Sequence, residues 1–363
     1  MARRCILHIG MNKAGSTTIQ KCFSKYDDAE TFFLPLGAPN HSKLVSYAFL
    51  NNVSEKYFET IDPAARQEFC AQQRAEMTTQ IAGDSRNVII SAEILSVFPK
   101  ESVDAIVAFL RSHFDEIKAI AYIREPANFM ASQFQQSLRD NASDVDLDRL
   151  YPNYRTRFRR WYNQLGADIS FVTLNPDMLI EGNLVIDFAT RMGLQKPSMD
   201  KLGTVANSTL SAEAIAVLFA HRHAHDWVRT SAGRQRSVNR ALLARLQTFG
   251  HRKFAFSDVF IGPFLETKSS DIAWMENRMQ GSLTGQSSKE TEVSFGSSKD
   301  ITDFANACQP TFLQWFETSF PQADVPQGGV VDILDAAYAR LQADMPATFP
   351  TIAAFTPSLT GAR

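Results

Sequence analysis

Apolar and polar positions alternate in blocks along the first two hundred residues, predicting strands and helices in turn. Short apolar runs at 4–9, 32–34, 87–91, 117–123 and 169–174 read as buried strands. Between them, apolar residues recur at helical spacing over 16–26, from Ser42, over 63–81, over 101–112, from Pro126 through Gln136, and over 182–192 with Gly193 as the stop. That alternation predicts an α/β fold, a central parallel sheet flanked by helices in three layers. Past 207 the pattern turns mainly helical, with amphipathic stretches at 211–227 and 236–249 and a last helix over 331–342. Residues 254–264 read as a strand or an extended strip, and 281–299, rich in Gly, Ser, Thr and Gln, as a loop or linker. The predicted organisation is an α/β core over 1–250 and a C-terminal extension over 251–363, loop-rich then helical, packed on it.

The first predicted strand runs into Gly10-Met11-Asn12-Lys13-Ala14-Gly15-Ser16-Thr17-Thr18, a turn of small residues carrying one lysine and three hydroxyls. Glycine permits a tight turn and close approach of a ligand, and amides at the start of the next helix, with its dipole and Lys13, favour a tetrahedral anion. In the nucleotide P-loop, G-x-x-x-x-G-K-[ST], the lysine follows the second glycine; here Lys13 precedes Gly15, which disfavours a Walker-type nucleotide hydrolase. A second run, Ile117 to Ile123, ends on Arg124-Glu125-Pro126, with Ser132 eight residues after the arginine. Pro126 suits the first turn of a helix, so Arg124 stands at a strand end and Ser132 two turns along. A guanidinium and a hydroxyl so spaced can both serve one phosphate.

The loop resembles the 5′-phosphosulfate loop, K-x-G-[ST]-T, of the sulfotransferases that use 3′-phosphoadenosine 5′-phosphosulfate (PAPS). Tyr122-Ile-Arg-Glu-Pro-Ala-Asn-Phe-Met-Ala-Ser132 resembles their 3′-phosphate motif. The resemblance implies a P-loop-like three-layer core and a co-substrate site formed by Lys13, Ala14, Gly15, Ser16, Thr17, Thr18, Arg124 and Ser132, with no metal required. It further implies that Lys13 neutralises the leaving phosphate and that a base receives the acceptor's proton. Two residues qualify: Glu93, just past the strand at 87–91, and His41, after the second short strand. Ser91 is a further candidate to orient the acceptor or a phosphate. The sequence Ser91-Ala92-Glu93, and Ile19-Gln20 after the loop, resemble the microbial and glycan-directed branch, whose acceptors are sugars, lipids or small metabolites. The family also implies a late basic loop completing the nucleotide site, with Arg252-Lys253 and Lys289 as candidates. A kinase-type phosphoryl transferase and a non-catalytic PAPS-binding module remain as alternatives.

Composition narrows the partners. A formal charge of −2 over 363 residues carries no polycation signature, so nucleic acid is not an expected partner. Four cysteines without CxxC spacing fit a reducing compartment, and the short run 5–10, interrupted by His8, is no secretory signal. A cytoplasmic location follows, with membrane contact only through a lipid acceptor. Residues 151–162 hold four arginines and five aromatics, which suits either an amphipathic surface helix or, within 140–165, a cap over an anionic or sugar acceptor. His221 and His225 fall on one helical face, but no third metal ligand is evident and no metal site is expected. The sequence leaves the acceptor, the choice between Glu93 and His41, and the oligomeric state open.

Overall fold

The structure is a computed structural model that describes residues 2–50, 62, 65–140, 142–196, 209–225, 233–283 and 292–345. Contacts divide the chain into two units interleaved in sequence. The first comprises Met1–Phe129, Tyr151–Ala206 and Leu265–Gln286, and the second Met130–Leu150, Asn207–Phe264 and Ser287–Arg363.

The first unit is built on a six-stranded sheet. Its strands are β1 (Arg4–Ile9), β2 (Thr31–Phe33), β3 (Asn87–Ala92), β4 (Glu116–Ile123), β5 (Ile169–Thr173) and β7 (Met279–Gln280), in the order β2-β3-β1-β4-β5-β7. Every pair is parallel. Cys5, Ile6, Leu7 and Ile9 of β1 and Val88, Ile89 and Ile90 of β3 are at most 1% exposed. Such near-continuous apolar strands occur where helices cover both faces of a parallel sheet. Helices α1 (Ser16–Phe23), α2 (Ser42–Phe49), α3 (Arg66–Ala82), α4 (Lys100–Arg111), α5 (Pro126–Arg139), α6 (Leu147–Leu150), α7 (Tyr154–Leu165) and α8 (Leu184–Met192) follow the strands in the alternation the sequence predicts, although α6 and α5 from Met130 onward belong to the second unit. Helix α1 ends at Phe23, three residues before its predicted end, and Gly193 closes α8 in the left-handed conformation.

His8 is the exception inside β1. Its Nδ1 lies 2.8 Å from Ser91 Oγ and both residues are fully buried, so the Ser91 hydroxyl is turned into the sheet layer and not toward an acceptor. Burial pulls the His8 pKa down to about 3, which keeps the ring neutral.

The second unit is mainly helical. It contains α9 (Ala212–Ala224), α10 (Gly233–Leu246), β6 (Lys253–Phe256), β8 (Glu292–Phe295), α13 (Ser298–Ala307), α14 (Gln309–Ser319) and α15 (Val330–Asp344), with α11 (Asp258–Thr267) starting in it and α12 (Ser269–Glu276) belonging to the first unit. Every residue of α9 from Ala212 through Arg222 is buried, the mark of a helix enclosed on all sides. The stretch 254–264 is a short strand followed by a helix, not one extended strip. The predicted loop over 281–299 also needs correcting, because β8 pairs with β6 from Lys253↔Glu292 to Phe256↔Phe295 and α13 starts at Ser298. Phe254 and Phe295 stack there at 5.0 Å, which accounts for a strand in a stretch otherwise dominated by turn formers. Residues 284–291, including Lys289, and the tail from 346 lie outside the described residues. Among the described residues no helix is long and apolar enough to cross a membrane.

Candidate functional site

Three neighbouring strands end on one rim of the sheet. The register pairs Ile9 of β1 with Ala92 of β3 and His8 with Ile120 of β4, so Gly10, Glu93 and Arg124 each follow a strand at the same carboxyl edge. In open parallel sheets this edge is where ligands bind. Lys13, Glu93 and Arg124 are therefore brought together by topology, although 111 residues separate the lysine from the arginine.

The turn between β1 and α1 is tightly specified. Gly10 donates its N–H to Ala92 O at 3.1 Å, and a methyl group at Gly10 would come within 2.6 Å of Ser16 Oγ and 3.0 Å of Glu93 Cα. Glycine thus lets the Glu93 backbone lie against the loop. Gly15 holds φ 77°, and a Cβ there would meet Leu184 Cδ2 at 2.3 Å. Lys13 is itself left-handed at φ 62°, an uncommon and mildly strained state for a residue with a side chain. Helix α1 has no side-chain cap at its start, while the amides of Thr18 and Ile19 both bond Gly15 O. The N–H groups of Gly15, Ser16 and Thr17 have no hydrogen-bond acceptor among the described residues. They form a donor cluster at the positive end of the helix dipole. Ser16 is buried and donates to Met11 O at 3.3 Å, tying the loop, whereas Thr17 is exposed and Thr18 half-buried. Ala14 is buried beneath the turn.

Arg124 Nη1 donates to Lys13 O at 3.0 Å, so the guanidinium braces the loop. Burial pulls its pKa down, opposed by the Glu125 carboxylate, and at the height of an arginine pKa the charge survives. Its carbonyl accepts from Tyr154 Oη at 2.6 Å. Glu125 closes the start of α5, accepting from Ala127 N at 2.9 Å and Asn128 N at 2.8 Å. Ser132, half-buried, stands on the stretch of α5 that belongs to the second unit, and the rim described here is made by the first unit alone.

The two base candidates differ sharply. The Glu93 pKa is raised by burial, and the Lys13 charge opposes that rise. A carboxylate with a raised pKa beside a cation is suited to accept a proton. His41 is 1% exposed. Its Nδ1 accepts from Ser91 N at 3.2 Å, its own N–H donates to Ser91 O at 3.0 Å, and its ring lies 4.5 Å from that of Phe33. With Nδ1 accepting, the neutral ring carries its proton on Nε2, buried and directed toward the Leu34 carbonyl. Burial pulls the His41 pKa down to about 4. This imidazole pins α2 to β3 and has no lone pair to offer a substrate. Replacing it by alanine should cost stability, about 2–3 kcal/mol from the emptied volume and the unsatisfied Ser91 amide. Thermal melting combined with turnover of the folded fraction checks this, with turnover expected to change by less than about threefold.

In the second unit, Asp335 supplies the third group that the sequence did not reveal near His221 and His225. His221 Nε2 lies 2.9 Å and His225 Nε2 3.1 Å from its two oxygens. The opposite nitrogen of His221, Nδ1, faces Arg222 Nη1 at 2.9 Å. A guanidinium only donates, so Nδ1 accepts and the ring proton sits on Nε2, directed at Asp335. A metal on Nε2 needs that proton on the other nitrogen, and metal-bound histidines direct it at an acceptor. The cluster is therefore wired as a polar core around the fully buried Arg222, which also donates to Asn239 and Tyr338. Arg252, proposed from sequence for the nucleotide site, pairs with Glu213 at 2.8 Å in this unit, and Lys253 begins β6.

No protein-family model matches the chain, and no curated protein matches it. Among solved structures, a sulfotransferase from Alicyclobacillus acidocaldarius is similar. The likeness covers 62% of this chain and 94% of that one, at 11% identity and a TM-score of 0.36, and at that level it carries no argument. The site has to be judged on its own geometry.

Proposed function

We propose that this chain is a sulfotransferase that moves the sulfuryl group of PAPS to a hydroxyl or amine of a sugar, lipid or small metabolite. The observation that carries the reading is the single rim on which Lys13, Arg124, Glu93 and the backbone amides of Gly15 to Thr17, which have no acceptor among the described residues, stand together, with Gly10 holding Glu93 against the loop.

The chemistry follows from where charge develops. The acceptor oxygen forms a bond to sulfur while the bond from sulfur to the bridging oxygen breaks, and adenosine 3′,5′-bisphosphate leaves. The acceptor's proton passes to the Glu93 carboxylate. Negative charge grows on the 5′-phosphate, where Lys13 and the α1 amides offer donors already oriented before the reaction begins. Arg124 does two jobs in this reading, bracing the Lys13 carbonyl with Nη1 and offering its remaining donors to the 3′-phosphate. No divalent cation is called for, since the lysine and amides neutralise the leaving group.

The direct test is transfer of labelled sulfate from PAPS across a screen of sugars, lipids and phenols, run beside calorimetry with adenosine 3′,5′-bisphosphate and with ADP. Bisphosphate should bind without magnesium and more tightly than ADP. Arg124→Ala should weaken bisphosphate about tenfold to a hundredfold more than it weakens ADP. Equal losses would remove the 3′-phosphate role. Magnesium-dependent ATP binding would favour a phosphoryl transferase, and bisphosphate binding with no transfer to any acceptor would favour a binding module.

A further inference from the structure

The first unit holds a cavity of roughly 700 Å³ where α7 lies beside the segment that leaves Glu93. Glu93–Val97 form one turn of 3₁₀ helix, followed directly by Phe98, Pro99 and Lys100 at the start of α4. At a rise of ~2 Å per residue, Val97 stands ~8 Å along from Glu93. One side of the cavity is this segment, and the other is the face of α7 bearing Arg157, Arg159 and Arg160. The walls are fixed. Trp161 Nε1 donates to Leu95 O at 2.9 Å, and Asp271 caps α7 by accepting from Tyr154 N at 2.9 Å and Arg155 N at 2.8 Å.

The lining is basic and apolar at once. It contains four cations, Lys100, Arg157, Arg159 and Arg160, and no carboxylate. Arg160 is matched by Asp104 from α4 in a two-pronged pair. Lys100 shares the field of that Asp104 carboxylate, and Arg157 and Arg159 have no ion-pair partner among the described residues, in a chain whose formal charge is −2. Arg157 is held by its Nε on Pro152 O and by the Phe129 ring 5.7 Å away, yet its Nη1 is buried with no hydrogen-bond partner. Val97, Phe98, Pro99 and Pro152 add an apolar surface suited to a ring, and Asn153, Thr156 and Asn163 complete the wall with neutral polar groups.

We propose that this cavity is an acceptor subsite selecting molecules that already carry a carboxylate, sulfate or phosphate on a ring, with Arg157, Arg159 and Lys100 receiving that anion. The inference rests on the sulfotransferase reading, and it names the class of acceptor. The anion anchors one end in the cavity, and the connected 3₁₀ turn sets the reacting hydroxyl at the Glu93 rim.

The test is a ligand-observed NMR titration of the whole chain with matched glycosides, with and without saturating adenosine 3′,5′-bisphosphate. The pairs are 4-nitrophenyl β-glucuronide against the β-glucoside, and N-acetylglucosamine 6-sulfate against N-acetylglucosamine. The anionic member of each pair should bind about tenfold or more tightly than the neutral one. Lys100→Ala with Arg159→Ala, both at exposed positions, should erase that difference while melting temperature and bisphosphate affinity stay unchanged. Equal affinities within the pairs, absence of binding by every anionic member, or a preference that survives the double substitution overturns the proposal. Failure of bisphosphate to bind, with the anionic preference intact and lost in the double variant, would instead remove the donor assignment and leave the cavity's selectivity standing.

Discussion

Lys13→Ala should lower turnover with PAPS by about a hundredfold to a thousandfold while weakening adenosine 3′,5′-bisphosphate less than tenfold. The asymmetry follows from timing. In the ground state the bridging oxygen carries little charge, and the α1 amides and Arg124 already hold the phosphates; the lysine matters most when that oxygen takes up the electrons of the breaking bond. Stopped-flow or radiolabel assays of kcat, set beside calorimetry of the bisphosphate, separate the two quantities. Equal losses in both would make Lys13 a binding residue. Alanine keeps the β-carbon, so the backbone strain of residue 13 at φ 62° remains in Lys13→Ala, whereas a glycine relieves it. Lys13→Gly, compared with Lys13→Ala, should melt higher at equal loss of turnover.

Glu93→Gln should produce the second large effect, a fall in kcat of about a hundredfold to ten-thousandfold, with PAPS binding nearly intact. The pH profile gives the sharper signature. Burial raises the Glu93 pKa in the folded protein, and only the ionised form accepts a proton, so wild-type kcat should climb with pH through that raised value and then level off. The variant should lose this limb. Stability runs the other way. A carboxyl whose folded pKa lies above its unfolded value contributes stability fully present below the unfolded pKa and lost as pH rises through the folded one. At neutral pH the wild type therefore carries an ionised, half-buried group, and Glu93→Gln should match or exceed its melting temperature. A variant that melts lower and retains its acid limb would remove Glu93 from the chemistry.

The site's local half was legible in the chain. Gly10, Lys13 and Gly15 announce a turn because each acts within a few residues, and the strands at 4–9, 87–92 and 116–123 show themselves as mainly apolar runs broken by single polar residues such as His8, Ser91 and Lys118. Glu93 could be placed because a strand end is a local event. His41 could not be judged, since its role depends on a backbone amide 50 residues away and on complete burial, neither of which a loop histidine advertises. Asp335 lies 114 residues from His221, and Asp271 reaches 117 residues to cap α7, so no periodicity could have linked them. Strands β7 and β8 escaped notice for a related reason. They are two and four residues long and are strands only because a partner is waiting. The sequence of 151–162 suits both a surface helix and a cap; α7 buries Tyr154, Phe158 and Trp161 on one side and gives Arg157, Arg159 and Arg160 to the cavity on the other, so one helix carries both patterns.

The interleaving of the two units bears on how the chain is made. Strand β5 acquires its neighbour β7 only when residues 279–280 have been synthesised, after most of α9, α10 and β6 has left the ribosome. Until then the nascent sheet carries a bare parallel edge at Phe171 and Val172, a template for pairing with another chain. Shortened versions ending near residue 210, or expression at rates that outrun chaperone capacity, should therefore yield aggregates, whereas the full chain, which also supplies β8, α13 and α15 to the second unit, should be recovered soluble.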